Sequence, residues 1–231
     1  MDKPHLKKIT VAIDGPAGAG KSTVARSVAK ALNYMYVDTG AMYRAAAFVI
    51  RRENVNPGNH HDVSYMTESL DIRLEPGVDD AFTTRVFVGD EELTEEIRTT
   101  EIGNLASTIS TVLGVRKYLV QLQRQMGRGG GVVMEGRDID TVVFPAAELK
   151  VFLTASPETR AKRRQLELAA RGVDAAFKQL LKETIERDTR DAGRDVAPMK
   201  PAEDARILNS DRLTEDEVTA KILEWHKEIV G

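Results

Sequence analysis

A chain of 231 residues, 42% hydrophobic and 30% charged, has the composition of an ordinary globular protein and enough length to bury a substantial core. It contains no cysteine, which excludes disulfides and cysteine-ligated metals and leads us to expect a cytoplasmic protein. The net charge is −3, no apolar run approaches the ~18 residues of a membrane span, and the first eight residues lack the apolar core of a secretory signal, so we expect neither a nucleic-acid nor a membrane partner.

Short apolar segments alternate with helix-compatible runs along most of the chain. The predicted strands are Lys8–Ile13, Met35–Asp38, Val132–Glu135, Lys150–Thr154 and Arg206–Asn209. The predicted helices are Ser22–Leu32, Ala41–Arg52, Val115–Arg128, Pro157–Ala170, Ala175–Asp191 and Glu215–Ile229. This alternation predicts an α/β fold, in which crossover helices connect the strands of a parallel sheet.

The stretch from Val55 to Leu93 breaks the alternation because it is polar and is punctuated by proline and glycine. Residues 71–75 and 84–88 alternate between polar and apolar side chains, as strands do, and Gly89-Asp90 is typical of a hairpin turn. We therefore expect a small antiparallel subdomain inserted into the α/β body. Insertions of this length usually carry function or mobility.

The most specific pattern in the chain directly follows the first predicted strand. Its residues are Gly15, Pro16, Ala17, Gly18, Ala19, Gly20, Lys21, Ser22 and Thr23, which fit G-x-x-x-x-G-K-[ST]. The glycines let successive backbone N–H groups converge on one anion at a helix N-terminus. Lys21 would reach the β- and γ-phosphates of ATP or another triphosphate, and the Ser22 hydroxyl would ligate Mg²⁺. A glycine-rich turn with a surface lysine, the alternative interpretation, does not account for the strand before it and the helix after it.

Three groups of arginine and aspartate lie further along the chain, at the edge where open α/β sheets bind ligands. They are Arg44, one turn into the helix after the second strand; Arg137 and Asp138, directly after the third strand; and Arg187, Asp191 and Arg194, spaced i, i+4, i+7 on one helix face. Guanidinium groups suit phosphate because they are always charged and bind it bidentately. We infer that these groups compensate for the acidic net charge where phosphates bind.

Each group also has a less specific explanation. Taken alone, the predicted helix Ala175–Asp191 is better explained as a solvated ion-pair face, because Glu183–Arg187 and Glu186–Arg190 have i, i+4 spacing. Arg44 could equally lie on the surface, whereas Arg137, after a buried strand, needs an anionic partner. All three groups fall on the side of the glycine-rich loop, and this coincidence favours a phosphate site.

Together, the segments 15–23, 38–44, 96–98, 136–145 and 187–191 resemble bacterial cytidylate kinase. The resemblance runs from Ile9 to the last predicted helix. Its most specific part is the sequence Gly-Arg-Asp-Ile-Asp-Thr-Val-Val-Phe-Pro at 136–145. The long insert also resembles the extended nucleoside-monophosphate-binding region of the bacterial enzymes.

The resemblance implies three parts: a P-loop NTPase core with a five-stranded parallel sheet flanked by helices, an inserted small α+β domain for the monophosphate, and a helical lid. In this chain the core would comprise 1–52, 94–155 and 173–231, the insert 53–93 and the lid 156–172. The implied activity is transfer of the γ-phosphoryl group of ATP, with Mg²⁺, to CMP or dCMP. We expect a monomer.

The resemblance also implies roles for individual residues. Catalysis would depend on Lys21, Arg137, Arg187 and Arg194. Cytosine would contact Ser107, Arg116 and Asp138, and the monophosphate and sugar would contact Thr39, Tyr43, Arg44, Arg137, Arg187, Asp191 and Arg194. The lid residues Arg160, Lys162, Arg163 and Arg164 could close over the triphosphate, and Arg163 is assigned to the ATP site.

Two other functions remain open. The chain could be a kinase for another small acceptor, such as UMP or shikimate. It could instead be a regulatory P-loop switch that hydrolyses GTP slowly, but that class expects an N-K-x-D motif, which the sequence lacks. The switch hypothesis also leaves the arginine groups without an acceptor phosphate.

Overall fold

A five-stranded parallel sheet lies at the centre of the computed structural model, which describes residues 8–78, 80–170, 172–194 and 196–231. In chain order the strands are β1 (Thr10–Asp14), β2 (Met35–Asp38), β3 (Ile72–Pro76), β4 (Thr84–Val88), β5 (Glu91–Glu92), β6 (Val132–Glu135), β7 (Leu149–Thr154) and β8 (Arg206–Asn209). The central sheet has the order β2-β6-β1-β7-β8, and every neighbouring pair is parallel. The predicted α/β fold with five parallel strands is confirmed.

Helices cover both faces of this sheet. In chain order they are α1 (Lys21–Leu32), α2 (Thr39–Arg52), α3 (His60–Glu68), α4 (Thr100–Ile109), α5 (Leu113–Met126), α6 (Pro157–Ala170), α7 (Phe177–Ala192) and α8 (Glu215–Val230). One face packs against α1 and α8 through residues such as Val24 and Ile222, and the other packs against α5 through Val120. β1 is therefore buried at all five positions. Nowhere in the described ranges is a helix long and apolar enough to cross a membrane.

A second, smaller sheet forms where the sequence breaks its alternation. Its order is β3-β4-β5, all antiparallel, and Gly89 turns the chain between β4 and β5 with a φ of +58°. The predicted antiparallel strands and their hairpin turn are therefore present. Ile72, Val86 and Leu93 share one apolar cluster with α2, so this sheet is anchored on the helix that follows β2.

Two helices, α3 and α4, were not predicted from the sequence. α3 buries only Val63 and Thr67, a stripe too narrow to give a clear helical pattern. α4 contains Gly103, which lowers helix propensity. The glycine leaves room for the Arg44 guanidinium, which would have to move because a Cβ at position 103 would lie 2.9 Å from it. The tertiary contact therefore overrides the local preference.

The carboxyl ends of the five central strands lie at one edge of the sheet because all the strands are parallel. The glycine-rich loop leaves β1 there, α2 begins there after β2, and residues 136–138 leave β6. This edge therefore brings together segments that are about 100 residues apart in sequence. It is the usual ligand edge of open α/β folds.

Candidate active site

The glycine-rich loop between β1 and α1 adopts a backbone that only glycine accommodates at two positions. Gly15 has a φ of +141°, and a Cβ there would lie 1.9 Å from the carbonyl oxygen of Leu153. Gly18 has a φ of +77° and packs against Arg160. The first-turn N–H groups of α1 have no intrahelical acceptors, so the loop and helix end form a concave surface of donors suited to phosphate.

Lys21, the first residue of α1, is buried at the base of this loop. Its Nζ donates to the carbonyl oxygen of Pro16 at 2.8 Å. Burial, and after it the positive charge of Arg137, lower the pKa of Lys21 to about 7. A cation held in this way lacks a full counter-charge, so an anion placed beside it would favour its protonated form.

A buried carboxylate that sequence analysis did not single out, Glu135, lies beside Lys21 at the end of β6. Its Oε1 accepts from the Tyr36 hydroxyl at 2.6 Å, and it also hydrogen-bonds with Ser22. Burial raises the pKa of Glu135, and the neighbouring Asp38 raises it further. The sequence signal that could have identified Glu135 is its position as an acidic residue at the end of the apolar strand β6.

Asp191 is the centre of the predicted acceptor site. It is 1% exposed, and it accepts from Ser107 Oγ at 3.4 Å, from Arg137 Nε at 3.4 Å and from the guanidinium of Arg194. A buried carboxylate with these donors is fully compensated. The contacts join α4, α7 and the turn after β6 at one point.

Two other predicted cations, Arg44 and Arg187, face the same region. Arg44 donates to the carbonyl oxygens of Ile97 and Thr99 at 3.1 and 3.2 Å. Burial lowers the pKa of Arg187 to about 10, Arg137 contributes further, and its Nε has no hydrogen-bond partner within the described residues. Arg187 therefore does not form the solvated pair that its spacing from Glu183 allowed.

Four cations share the same electrostatic signature. Burial first, and then repulsion from neighbouring arginines, lowers the pKa values of Lys21, Arg44, Arg187 and Arg194. Such repulsion is unfavourable in the free protein, and a polyanion in the cleft would relieve it. The region between the P-loop and α7 therefore concentrates cations whose charges lack full compensation within the described residues.

Beyond the phosphate cations, Arg116 and Asp138 form a buried ion pair between α5 and the turn after β6. Their side chains are 6% and 9% exposed, and the Arg116 guanidinium donates to Oδ2 of Asp138. Tyr43 lies close by, where burial raises its pKa to about 12. Arg116 and Asp138 present donors next to an acceptor, an arrangement that can read the edge of a base.

The resemblance assigned Ser107 to cytosine together with Arg116 and Asp138. In the structure the Ser107 hydroxyl donates to Asp191, in the group predicted for the sugar and phosphate. A cleft of about 650 Å³ opens on the same side and is lined by residues of α3, of the α4–α5 connection and of the end of α7, including Arg194. Among the described lining residues, Arg194 is the one that the sequence assigned to the acceptor site. The cavity is large enough for part of a nucleotide.

Thr39 and Gly136 fix the approach of α2 to β6. The Thr39 hydroxyl donates to the carbonyl oxygen of Glu135 at 2.7 Å. A Cβ at Gly136 would lie 2.8 Å from Thr39 Oγ1 and 2.6 Å from the Ile139 side chain. The space beside Gly136 is therefore filled by the protein's own side chains.

The four basic residues of α6 fall into different environments. Arg160 is 3% exposed and donates four hydrogen bonds within the protein, and Lys162 is exposed and donates to Gln165. Arg163 donates to the P-loop carbonyl oxygens of Gly18 and Ala19 and to Ser210. Arg164 donates to Glu167 and to Thr100 at the start of α4. Arg163 and Arg164 are half-buried, the first against the P-loop and the second against the start of α4.

The matched family agrees with this geometry. The family model described as cytidylate kinase matches residues 11–228. The chain belongs to the cytidylate kinase family. It is 48% identical over 219 residues to a cytidylate kinase from Exiguobacterium sibiricum, covering 95% of this chain and 97% of that protein. It is 44% identical over 225 residues to a cytidylate kinase from Caldicellulosiruptor bescii, covering 97% and 98%. A cytidylate kinase from Carboxydothermus hydrogenoformans is 44% identical over 214 residues, covering 93% and 95%.

Proposed function

We infer that this chain is an ATP-dependent kinase that phosphorylates CMP and dCMP, giving CDP or dCDP and ADP. Membership of the cytidylate kinase family supports this inference over nearly the whole chain. The observation that carries it is one cleft in which a P-loop faces a second group of cations. A switch that hydrolyses a single nucleotide has no need for the second group.

The base would be read by the Arg116–Asp138 pair. Cytosine has an N4 amino donor beside the N3 and O2 acceptors, whereas uracil has an O4 acceptor in place of the amino group. The free oxygen of Asp138 can accept from N4, and the remaining N–H groups of Arg116 can donate to N3 and O2. Uracil would set its O4 against a carboxylate, so this arrangement favours CMP over UMP.

The acceptor phosphate and sugar would be held by the residues around Asp191. Arg44, Arg137, Arg187 and Arg194 would supply positive charge to the phosphate, with Arg137 and Arg194 held in place by Asp191. Asp191 and the Ser107 hydroxyl, which donates to it, both offer acceptor oxygens to a sugar hydroxyl. Thr39 and Tyr43, assigned to the same nucleotide, border this region from α2.

ATP would bind with its phosphates in the P-loop, from Gly15 to Thr23, against Lys21. Arg163 would border the donor nucleotide, since it already lies on the outer side of the loop. The residues present also fit Mg²⁺: the exposed Ser22 hydroxyl lies beside the buried Glu135 carboxylate, and oxygen ligands of this kind are the ones Mg²⁺ prefers. When bound, the ion would supply positive charge that neutralises the β- and γ-phosphates.

Transfer between the two nucleotides asks the protein mainly to position reactants and neutralise charge. The second phosphate pKa of a monophosphate is about 6, so near neutral pH the acceptor oxygen is already anionic and needs no strong base. Lys21 would stabilise the transferring phosphoryl group from the ATP side. Arg137, Arg187 and Arg194 would hold the acceptor in line and balance its charge.

The remaining expectations are part of the same proposal. The core would comprise 1–52, 94–155 and 173–231, with 53–93 as the monophosphate-binding insert and 156–172 as the lid. Residues 1–7, 79, 171 and 195 lie outside the described ranges. The enzyme would act as a monomer in the cytoplasm, with nucleotides as its only partners.

Coupled assays across acceptors test the proposal directly. With ATP and Mg²⁺, we expect turnover of CMP and dCMP at a kcat/KM at least about 10-fold above that of UMP. Lys21→Met serves as the inactive control. Phosphorylation of UMP or shikimate without CMP would support another acceptor, and acceptor-independent GTP hydrolysis alone would support the switch.

A further inference from the structure

One ion pair, Arg160–Asp188, has been given no role at the acceptor site; its Arg160 side chain is buried and its Asp188 side chain is 26% exposed. Arg160 lies in the first turn of α6 and Asp188 in α7. Arg160 Nη1 donates to Oδ1 of Asp188 at 2.9 Å, and Nη2 donates to Oδ2. The pair is bidentate, and the Arg160 side chain is 3% exposed. Bidentate pairs fix relative orientation as well as distance.

Arg160 also holds two backbone segments. Its Nε donates to the carbonyl oxygen of Ala155, where β7 ends, at 2.9 Å. Its Nη1 donates to the carbonyl oxygen of Ala17, in the P-loop, at 3.1 Å. A Cβ on Gly18 would lie 3.1 Å from the Arg160 Cβ, so loop and side chain are packed closely. One guanidinium therefore connects the donor loop to α7.

The position of Asp188 on α7 gives this connection its significance. Asp188 directly follows Arg187 and lies one turn before Asp191, the centre of the acceptor group. A rotation or shift of α7 would move both of those residues. The Arg160–Asp188 pair is thus placed where it can set their distance from the P-loop.

We propose that Arg160 and Asp188 are positioning residues that fix the acceptor face of α7 relative to the P-loop, so that two nucleotides bound at the two ends are held in reacting geometry. This rests on the proposed function, because it assumes transfer between two bound nucleotides. A misplacement of about 1 Å can lower a rate about 10²-fold without loss of binding.

The alternative role for Arg160 is that of a lid cation which binds the triphosphate. Four of its five N–H hydrogens are already donated within the protein, to Ala155, Ala17 and both oxygens of Asp188. Binding phosphate would require breaking this bidentate pair. The two roles differ in what they predict for ATP binding.

Three variants test the pair in the full chain. Asp188→Asn keeps the shape and removes the charge, Asp188→Glu keeps the charge and lengthens the arm, and Arg160→Lys removes the bidentate geometry. Glu186→Gln, an exposed carboxylate on the same helix, is the matched control. The measurements are kcat, the separate Kd values for CMP and for a non-hydrolysable ATP analogue, and Tm.

We expect Asp188→Asn and Arg160→Lys each to lower kcat about 10- to 100-fold while each single-ligand Kd changes less than about 3-fold. A double variant that combines Asp188→Asn with Arg160→Lys should be no slower than the slower of the two single variants, because both substitutions break the same contact. Asp188→Glu should have a Tm close to that of the wild type but a lower kcat. This result would separate positioning of α7 from stabilisation of the fold. Glu186→Gln should match the wild type throughout.

Three results would overturn the proposal: wild-type kcat in folded Asp188→Asn, wild-type kcat and Tm together in Asp188→Glu, or a loss of ATP-analogue affinity above about 10-fold in Arg160→Lys alone. The last would assign Arg160 to the phosphates. If Asp188→Asn does not fold, Asp188→Glu and Arg160→Lys decide the question. Failure of the wild type to phosphorylate CMP would instead refute the proposed function.

Discussion

Replacing Asp138 with asparagine should weaken the preference for CMP over UMP. The carboxylate forms a buried pair with Arg116, and its side chain is 9% exposed. An amide of the same shape keeps one acceptor for the N4 amino group of cytosine and gains an NH₂ donor for O4 of uracil. The exchange therefore changes hydrogen-bonding capacity with almost no change in volume.

The size of the effect follows from burial. In the wild type, O4 of uracil would face a buried acceptor, and leaving such groups unpaired costs about 1–3 kcal/mol, or roughly 5- to 150-fold in kcat/KM. In Asp138→Asn most of that penalty disappears, while CMP loses a charge-assisted bond. We expect the CMP-to-UMP ratio to fall at least about 10-fold. The variant should also lose about 1.5–3 kcal/mol of unfolding free energy, because Arg116 keeps a neutral partner in place of a charged one.

The assay is kcat/KM for CMP and for UMP with saturating ATP, together with denaturant unfolding. Asp140→Asn is the matched control, since Asp140 is also buried and only two residues away. It contacts the Asp14 side chain and accepts from the Ala202 N–H, so its variant should keep the wild-type ratio. An unchanged ratio in Asp138→Asn, or a wild type that uses UMP as well as CMP, would refute the reasoning.

Other parts of the site make separate predictions. Because its pKa is lowered to about 7, most Lys21 is neutral at pH 8 in the free protein, and ATP should raise that pKa. Calorimetry in buffers of different ionisation enthalpy should therefore detect proton uptake on ATP binding. Lys21→Met should abolish that uptake and lower kcat at least about 10²-fold, and wild-type turnover in it would contradict the assignment. Arg187→Ala should lower kcat/KM for CMP without destabilising the fold, because it removes a buried cation that neighbouring arginines repel; an unchanged kcat/KM would show that Arg187 does not act on the acceptor. Hydrogen exchange in 156–172 and 53–93 should slow when CMP and a non-hydrolysable ATP analogue are both added, and no change in either would count against closure.

Local patterns predicted the core of the fold closely. β2, β6 and β8 begin and end at the predicted residues, as does α6. These elements have strong local signals: short apolar runs for the strands, and a proline at the first position of the helix. α3 and α4 lack such signals, since their stability comes from packing on α5 and α2. Sequence periodicity cannot register contacts of that kind.

The site divides in the same way. The glycine-rich loop and its lysine are contiguous, so their geometry follows from local backbone requirements at positions such as Gly15. The predicted cations are brought together, but their partners were not predictable: Asp191 gathers Ser107, Arg137 and Arg194 from three segments. Glu135 and Tyr36 were missed for the same reason, because they meet only when β2 and β6 pair.

The sequence by itself determined the parallel sheet, the loop that receives a triphosphate and the family, because each is written in contiguous residues and their spacing. Only the tertiary structure decided which charges are buried, which are paired and which are left to a ligand. Arg160 and Arg187 are both arginines on predicted helices, yet Arg160 forms a bidentate pair with Asp188, whereas Arg187 keeps a buried nitrogen without a partner among the described residues. That difference depends on which residues contact each arginine. Asp188 is 28 residues from Arg160 in the sequence, and only folding brings the two side chains together.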